Sequence, residues 1–117
     1  KLPEDATFSD SDGNERTFMR VAWWKRSRTT YREMFLGPDV IRNQIPSLPF
    51  PNEDSPNYDE TEKPLFIGHY WMNPKNGLNV LQHNVACVDF SACKGGKMVG
   101  YRFDGERTLD PRKFVAV

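Results

Sequence analysis

His69 has the sequence context of a functional residue. It follows the apolar run LFI at residues 65–67, which Pro64 precedes and Gly68 ends. An apolar run with Pro and Gly at its ends is typical of a buried strand, so we predict a strand over residues 65–69. A histidine at a strand exit is held by a rigid element and faces a loop, where metal ligands and acid–base groups are commonly placed. The alternative is a histidine with a structural role only.

A second polar cluster follows the run NVACVD at residues 84–89, which predicts another strand. This strand ends at Asp89, and the loop after it contains Lys94, Gly95 and Gly96. If the two strands are neighbours, the Asp89 carboxylate can orient the histidine loop and so support a metal ligand without binding the metal itself. Lys94 can neutralise a phosphate, and the two glycines let the backbone approach it closely, although a Gly-Gly pair is also typical of a plain turn.

A different metal hypothesis is a zinc site, whose ligands would be Cys87, Cys93, His69 and His83. The two histidines are separated by thirteen residues and the two cysteines by five. Structural zinc sites usually contain close Cys-x-x-Cys pairs, so this spacing disfavours zinc. Two cysteines do not make a disulfide framework either, and we interpret them as reduced thiols in a cytoplasmic protein.

The composition predicts one domain with balanced charge. The chain has 117 residues, enough for a hydrophobic core, with 16 basic and 16 acidic residues. This balance predicts neither a nucleic acid nor a membrane as partner. Residues 16–32 are the exception, because they contain six basic residues and no acidic one, with Trp23, Trp24 and Tyr31 among them. Such a segment suits single-stranded nucleic acid, but a half-buried strand with tryptophan inside and arginine outside explains it more simply.

The N-terminal half contains signals for a hairpin and two short helices. Residues 10–13 (DSDG) predict a hairpin turn between residues 6–8 and a second arm over residues 16–24. Thr30 and Glu33 form a capping box, which predicts a helix from there to about residue 36.

Pro38 suits the start of a second helix, which we expect to reach about residue 44. Residues 46–64 contain five prolines and predict an irregular connection. Two more strands are predicted over residues 97–103 and 113–117. The fold class that follows is α+β, with mostly antiparallel strands and one or two short helices.

From residue 64 onwards the motifs resemble the C-terminal third of a calcineurin-like metallophosphoesterase. The closest branch groups bacterial serine/threonine protein phosphatases with diadenosine tetraphosphatase. The resemblance rests on PLFIGHYW at 64–71, NVACVDFSA at 84–92, KGG at 94–96 and MVGYRFDGE at 98–106. The stretch over residues 8–33 also resembles an insert that precedes this motif in some members.

The resemblance implies an αββα sandwich and hydrolysis of phosphoester or phosphoanhydride bonds at a dinuclear metal centre. Manganese is the foremost metal, with iron, zinc or nickel as alternatives. His69 would be a metal ligand, Lys94, Gly95 and Gly96 would border the phosphate, and Asp89 and Asn84 would support the ligands. It also divides the chain into residues 1–63, with the hairpin, helices and connection, and residues 64–117, the C-terminal β region.

The chain departs from this family in important places. Tyr70 and Trp71 follow the Gly-His pair, where many relatives have Thr-Pro or a second histidine. The family's Asp-x-His, Gly-Asp-x-x-Asp and Gly-Asn-His motifs do not occur in the chain. One histidine cannot hold two metal ions, so we expect this chain alone to be inactive and to bind no metal tightly.

The expected partners are therefore the missing N-terminal half of the domain and a phosphorylated substrate. An incomplete sandwich exposes a sheet face and unpaired edges, which favours self-association. The competing hypotheses are a non-catalytic interaction module derived from this fold and a single-stranded nucleic-acid-binding domain that uses residues 16–32.

Overall fold

Short strands and helices make up the fold, and the computed structural model describes residues 1–51 and 57–117. The strands are β1 (Phe8–Ser9), β2 (Glu15–Arg16), β3 (Leu65–Ile67), β4 (Val85–Cys87), β5 (Asp89–Phe90), β6 (Lys97–Tyr101) and β7 (Phe114–Ala116). The α-helices are α1 (Tyr31–Met34) and α2 (Asp39–Arg42). Most strands pair antiparallel in small sheets, so the α+β prediction is confirmed at this level.

The chain forms two compact units, Lys1–Asn57 and Tyr58–Val117. We expected a boundary after residue 63, and the structure divides the chain six residues earlier. The reason is that the side chains of Gln82 and Asn84 donate hydrogen bonds to the backbone at residues 58–59. The Asn84 Nδ2 donates to the carbonyl oxygen of Asp59 at 2.8 Å, and the Gln82 Nε2 donates to that of Tyr58 at 3.4 Å.

The hairpin predicted in the first unit is confirmed, although it is short. β1 and β2 pair antiparallel, and the Asp10 carboxylate accepts the N–H of Asn14 at 2.9 Å and the Nε of Arg16 at 2.8 Å. The second arm ends at Arg16 rather than at residue 24. The later part of that run pairs elsewhere, because the N–H of Ala22 donates to the carbonyl oxygen of Met34 at 2.8 Å.

The N-cap part of the capping-box prediction is confirmed at the start of α1, whereas the Glu33 carboxylate accepts the Thr29 hydroxyl. The Thr30 hydroxyl accepts the N–H of Glu33 at 3.2 Å, which satisfies a donor that has no partner inside the helix. α1 ends at Met34, earlier than expected, because Phe35 is extended and forms a bridge with Val21.

The second predicted helix is also present and also shorter than expected. α2 follows Pro38 and ends at Arg42 rather than near residue 44. Residues 46–51 and 57–64 of the predicted connection contain no helix or strand and only an isolated bridge from Pro49 to Thr30. The rest of that connection, residues 52–56, lies outside the described residues.

Each unit has its own hydrophobic core. The core of the first unit consists of Leu2, Phe8, Phe35, Ile41 and Ile45. The core of the second unit consists of Ala86, Phe90, Leu109 and Phe114. In the first unit, edge-to-face packing of Phe8 and Phe35, with ring centroids 5.7 Å apart, joins the hairpin to the segment after α1.

The second unit contains two sheets that share one stretch of chain. β3 pairs with β4 in parallel, and β5, β6 and β7 form an antiparallel sheet in that order. The single strand predicted over residues 84–89 is therefore wrong, because Val88 separates β4 from β5 and each part pairs with a different neighbour. The strand predicted over residues 65–69 ends at Ile67. In the described ranges, no helix has the length and apolar character needed to cross a membrane.

Glu106 is the centre of a polar network in the second unit. Its carboxylate accepts hydrogen bonds from the Lys113 ammonium at 2.8 Å and from the Tyr101 hydroxyl at 2.7 Å. Only 20% of the Glu106 side chain and 26% of the Lys113 side chain are exposed, so solvent screens this pair incompletely. The Lys113 ammonium, followed by the Tyr101 hydroxyl, lowers the pKa of Glu106 to about 2.

We predict that this pair makes the stability of the second unit sensitive to acid. Because the folded state lowers the pKa of Glu106 from 4.5 to about 2, its contribution is complete above pH 4.5 and is lost as pH falls towards 2. Glu106→Gln should therefore flatten the fall in unfolding free energy across that window. Urea unfolding at a series of pH values measures this slope, with Glu62→Gln, at an exposed glutamate of the same unit, as control. An unchanged slope in Glu106→Gln would contradict the prediction.

Candidate functional site

The parallel pairing of β3 and β4 brings the two predicted polar clusters to one edge. Ile67, the last residue of β3, lies opposite Cys87, the last residue of β4, and the N–H of Val88 donates to the carbonyl oxygen of Ile67 at 3.0 Å. Since parallel strands end at the same edge, the chain leaves β3 into His69 and leaves β4 into Asp89 side by side.

The Asp89 carboxylate connects the two loops at this edge. Its Oδ2 accepts the backbone N–H of His69 at 2.9 Å, and its Oδ1 accepts the backbone N–H of Ser91 at 3.1 Å. The Asp89 backbone takes part as well, because its carbonyl oxygen accepts the N–H of Met72 at 2.9 Å. Asp89 therefore holds the backbone of the histidine loop, the role that the sequence had suggested for this carboxylate.

Three residues without a glycine's freedom adopt left-handed backbone at this edge. The φ angles are 68° at His69, 48° at Trp71 and 64° at Ser91. Each such conformation costs about 1 kcal/mol or more in a residue with a side chain. At two of these residues, His69 and Ser91, a hydrogen bond from the N–H group to the Asp89 carboxylate compensates locally, so the backbone there depends on that carboxylate.

Trp71 connects the two predicted functional side chains. Its ring meets the His69 imidazole edge-to-face, with centroids 5.9 Å apart. The Lys94 Nζ lies over the same indole, 3.6 Å from the ring centroid, well within the range of a cation–π contact. All three side chains are exposed. The structure therefore brings Lys94 next to the histidine loop by way of a residue that the sequence reasoning passed over.

The requirement for glycine at Gly96 comes from the chain's own backbone. A Cβ atom at this position would lie 2.0 Å from the carbonyl oxygen of Phe90, and the Gly96 N–H donates to the carbonyl oxygen of Ser91 at 2.8 Å. Gly95 has a φ of 80°, and its Cβ position is open. Tight closure of the loop between β5 and β6 thus explains both glycines, and phosphate binding by them stays a prediction.

Asn84 does not lie with His69. It comes before β4, at the amino end of that strand, while His69 follows the carboxyl end of its neighbour. The side chain is completely buried, and its Nδ2 donates to the carbonyl oxygens of Asp59 and Glu62 at 2.8 and 3.3 Å. Its observed role is to hold the turn before β3.

The four candidate zinc ligands do not come together. Cys87 is buried, and this burial raises the pKa of its thiol, whereas Cys93 is exposed. The His83 Nε2 is hydrogen-bonded to the carbonyl oxygen of Glu60 at 2.8 Å. Among the residues that the structure describes, no three His, Cys, Asp or Glu side chains are grouped so that they could hold a metal ion.

The basic segment over residues 16–32 is largely used for internal contacts. Trp24 is 7% exposed and packs against Trp23, with ring centroids 5.6 Å apart. The Lys25 ammonium donates to the carbonyl oxygen of Glu33 at 3.0 Å, and Arg28 donates to that of Trp23 at 3.1 Å. Base stacking needs exposed rings and phosphate binding needs available cations, so these contacts do not favour a nucleic-acid interface.

Two residues at the edge, Trp71 and Ser91, were not singled out from the sequence. Ser91 adopts the left-handed turn after β5, and its hydroxyl donates to the carbonyl oxygen of Met72 at 3.1 Å. No sequence pattern marks Trp71, because its exposure and its contact with Lys94 depend on the tertiary structure. No protein-family model, curated protein or solved structure matches the chain, so the functional argument rests on its own residues.

We predict that Asp89→Ala loosens both loops while the sheet remains. The substitution leaves the N–H groups of His69 and Ser91 without their acceptor, which should cost about 1–3 kcal/mol and accelerate amide exchange at both positions. Hydrogen exchange followed by NMR measures this, with Cys93→Ser, an exposed change in the neighbouring loop, as control. Unchanged exchange at His69 and Ser91 would show that Asp89 does not hold the loops.

We predict that Gly96→Ala is strongly destabilising. The new methyl group would meet the Phe90 carbonyl oxygen, and the backbone must shift to relieve the overlap, which should cost about 2 kcal/mol or more. Gly100→Ala is the matched control in the adjacent strand, because a Cβ there meets nothing within 4 Å. Its free energy of unfolding should change by no more than about 0.5 kcal/mol. Equal unfolding midpoints for the two variants in urea would contradict this prediction.

Proposed function

We propose that this chain is the C-terminal portion of a calcineurin-like, metal-dependent phosphoesterase, which hydrolyses phosphoester or phosphoanhydride bonds. In this proposal His69 is one ligand of the metal centre, and Lys94 lies near the phosphate. The observation that carries the proposal is the placement of His69 and Asp89 side by side at the carboxyl edge of β3 and β4.

The geometry of His69 suits a metal ligand. Its side chain is exposed, while its backbone is fixed by the 2.9 Å hydrogen bond to Asp89. A ligand must be held in one orientation by groups behind it, because an imidazole that moves loses affinity for the metal. Asp89 supplies this support through the backbone N–H of His69.

The small parallel sheet supports the view that further strands belong to this fold. Parallel strands occur almost only in larger sheets with both faces covered, and an isolated pair is marginally stable. In the second unit β3 pairs with β4 alone, and Phe66, in the middle of β3, is 36% exposed. In a parallel ladder its N–H and carbonyl point away from β4, so they can pair with a strand from the rest of an αββα sandwich.

An apolar sheet face supports the same view. Val99, Tyr101 and Phe114 face the core of the second unit, so the alternate residues of β6 and β7 face outwards. Among these, Met98 is 70% exposed and Val115 is 41% exposed. A sandwich covers such a face with its remaining elements.

The described residues alone do not fit a two-metal centre, since no group of three metal-binding side chains exists among them. When bound, such a centre activates water and stabilises the charge on the phosphoryl group. In the proposal its other ligands belong to the missing N-terminal half, and this chain contributes His69 and the loop that orients it.

A second candidate function is a non-catalytic interaction module that has kept this fold. The exposed face with Met98 and Val115 favours it, because apolar side chains on a sheet face are typical of a surface that binds another protein. The two functions differ in one observable property, metal-dependent hydrolysis by the full-length protein.

The first test is the sequence that the parent gene encodes before Lys1. We expect it to contain Asp-x-His, Gly-Asp-x-x-Asp and Gly-Asn-His motifs, which the chain itself lacks. If these motifs are missing, the enzymatic proposal is wrong and the interaction module is favoured.

The second test is His69→Ala in the full-length protein. Loss of a metal ligand should lower the manganese-dependent hydrolysis of p-nitrophenyl phosphate by about 100-fold or more, since even residues that only support ligands account for 10- to 100-fold. His83→Ala is the matched control, because that imidazole is hydrogen-bonded to Glu60 and lies beside a different turn. Equal rates for His69→Ala and the unchanged enzyme would exclude His69 as a ligand.

A further inference from the structure

We propose that Trp71 is a positioning residue, whose indole holds the Lys94 ammonium beside His69 so that Lys94 can bind a phosphate there. This inference rests on the proposed function, because it assigns the phosphate to a site at His69. It goes beyond that function by giving Trp71 a role in binding the anion.

The Lys94 side chain needs such support. It is exposed, and a lysine ammonium on a flexible four-carbon stem samples many positions in water. The Lys94 backbone is fixed, because its N–H donates to the carbonyl oxygen of Ser91 at 2.8 Å. The remaining freedom lies in the side chain, and the contact between Nζ and the Trp71 ring, at 3.6 Å, restricts it.

Trp71 is suited to this role because it lies in the histidine loop, whose backbone is held in place. It has left-handed backbone, and its ring meets the His69 imidazole edge-to-face, with ring centroids 5.9 Å apart. The next residue, Met72, donates its N–H to the Asp89 carbonyl oxygen. Trp71 is nevertheless 47% exposed, so the indole does not serve mainly as core. Its exposed ring contacts both the Lys94 ammonium and the His69 imidazole.

The charge of Lys94 is available to an anion. The ion pairs formed within residues 1–51 and 57–117 do not include Lys94. The nearby Asp89 carboxylate accepts N–H groups of His69 and Ser91 instead. A hydrogen bond from an ammonium to phosphate is stronger than an exposed cation–π contact. A phosphate can therefore bind the Lys94 ammonium, while the Trp71 ring restricts the positions that the ammonium samples.

The test uses NMR of the 117-residue chain with inorganic phosphate as the probe and chloride as the control for ionic strength. Ring current from Trp71 should shift the ε-methylene protons of Lys94 upfield. On titration, the Lys94 ε signals and the His69 ring signals should follow one saturating phosphate curve. Trp71→Leu should remove the upfield shift and weaken phosphate binding by roughly two- to fivefold, the value expected from an exposed cation–π contact.

Two further variants separate positioning from loss of structure. Trp71→Phe keeps an aromatic ring and should restore part of the upfield shift and of the affinity. Lys94→Met should weaken phosphate binding, and adding Trp71→Leu to it should have no further effect, because both changes remove the same contact. Lys75→Met, at an exposed lysine of the same unit, should leave phosphate binding unchanged.

Phosphate binding by Trp71→Leu with unchanged affinity would overturn the positioning role, as would fully additive effects of the two substitutions. A chain with no saturable phosphate binding would overturn the inference altogether. Neither result affects the proposed function, which the phosphatase assay of full-length His69→Ala tests separately. Conversely, an active His69→Ala enzyme would exclude His69 as a metal ligand, and the upfield shift of the Lys94 signals would still test the contact between Lys94 and Trp71.

Discussion

The hydrogen bonds of the Asp89 carboxylate are the interaction on which the candidate site depends. One carboxylate accepts the N–H groups of His69 and Ser91, which lie in two different loops. Charge-assisted hydrogen bonds of this kind are stronger than neutral ones. They stabilise left-handed backbone at residues that would otherwise avoid it, and they fix the His69 backbone relative to the loop before β6. Without the Asp89 carboxylate, the parallel strands would still end together, but the N–H groups of His69 and Ser91 would lose their shared acceptor.

The rest of the second unit supplies what this arrangement needs. The parallel register puts Ile67 opposite Cys87, so the two chains leave the sheet at the same height. The division between β4 and β5 at Val88 lets one stretch of chain serve two sheets. Gly96 allows the loop to close tightly against the Phe90 carbonyl. This loop brings Lys94 close to the histidine loop, where the Trp71 ring contacts the Lys94 ammonium.

The sequence predicted much of this local structure correctly. The hairpin turn at Asp10 and the N-cap at Thr30 were predicted because they depend on hydrogen bonds within a few residues. Element lengths were predicted less well, because they depend on distant partners. α1 ends where Phe35 pairs with Val21, and the strand after Asn84 divides because its two parts pair with different neighbours. Asn84, placed with the site from resemblance, lies at the opposite end of its strand.

The sequence by itself determined which residues could do chemistry, since His69, Asp89 and Lys94 are recognisable from their positions after apolar runs and before glycines. It also determined the fold class, because hydrophobic pattern and turn residues act locally. Only the tertiary structure decided which of these residues meet. The parallel pairing of β3 and β4 joins residues twenty positions apart, and the cation–π contact recruits Trp71, which no local pattern identifies. Contacts between distant residues depend on how the strands pair, and that pairing is set by packing of the whole unit.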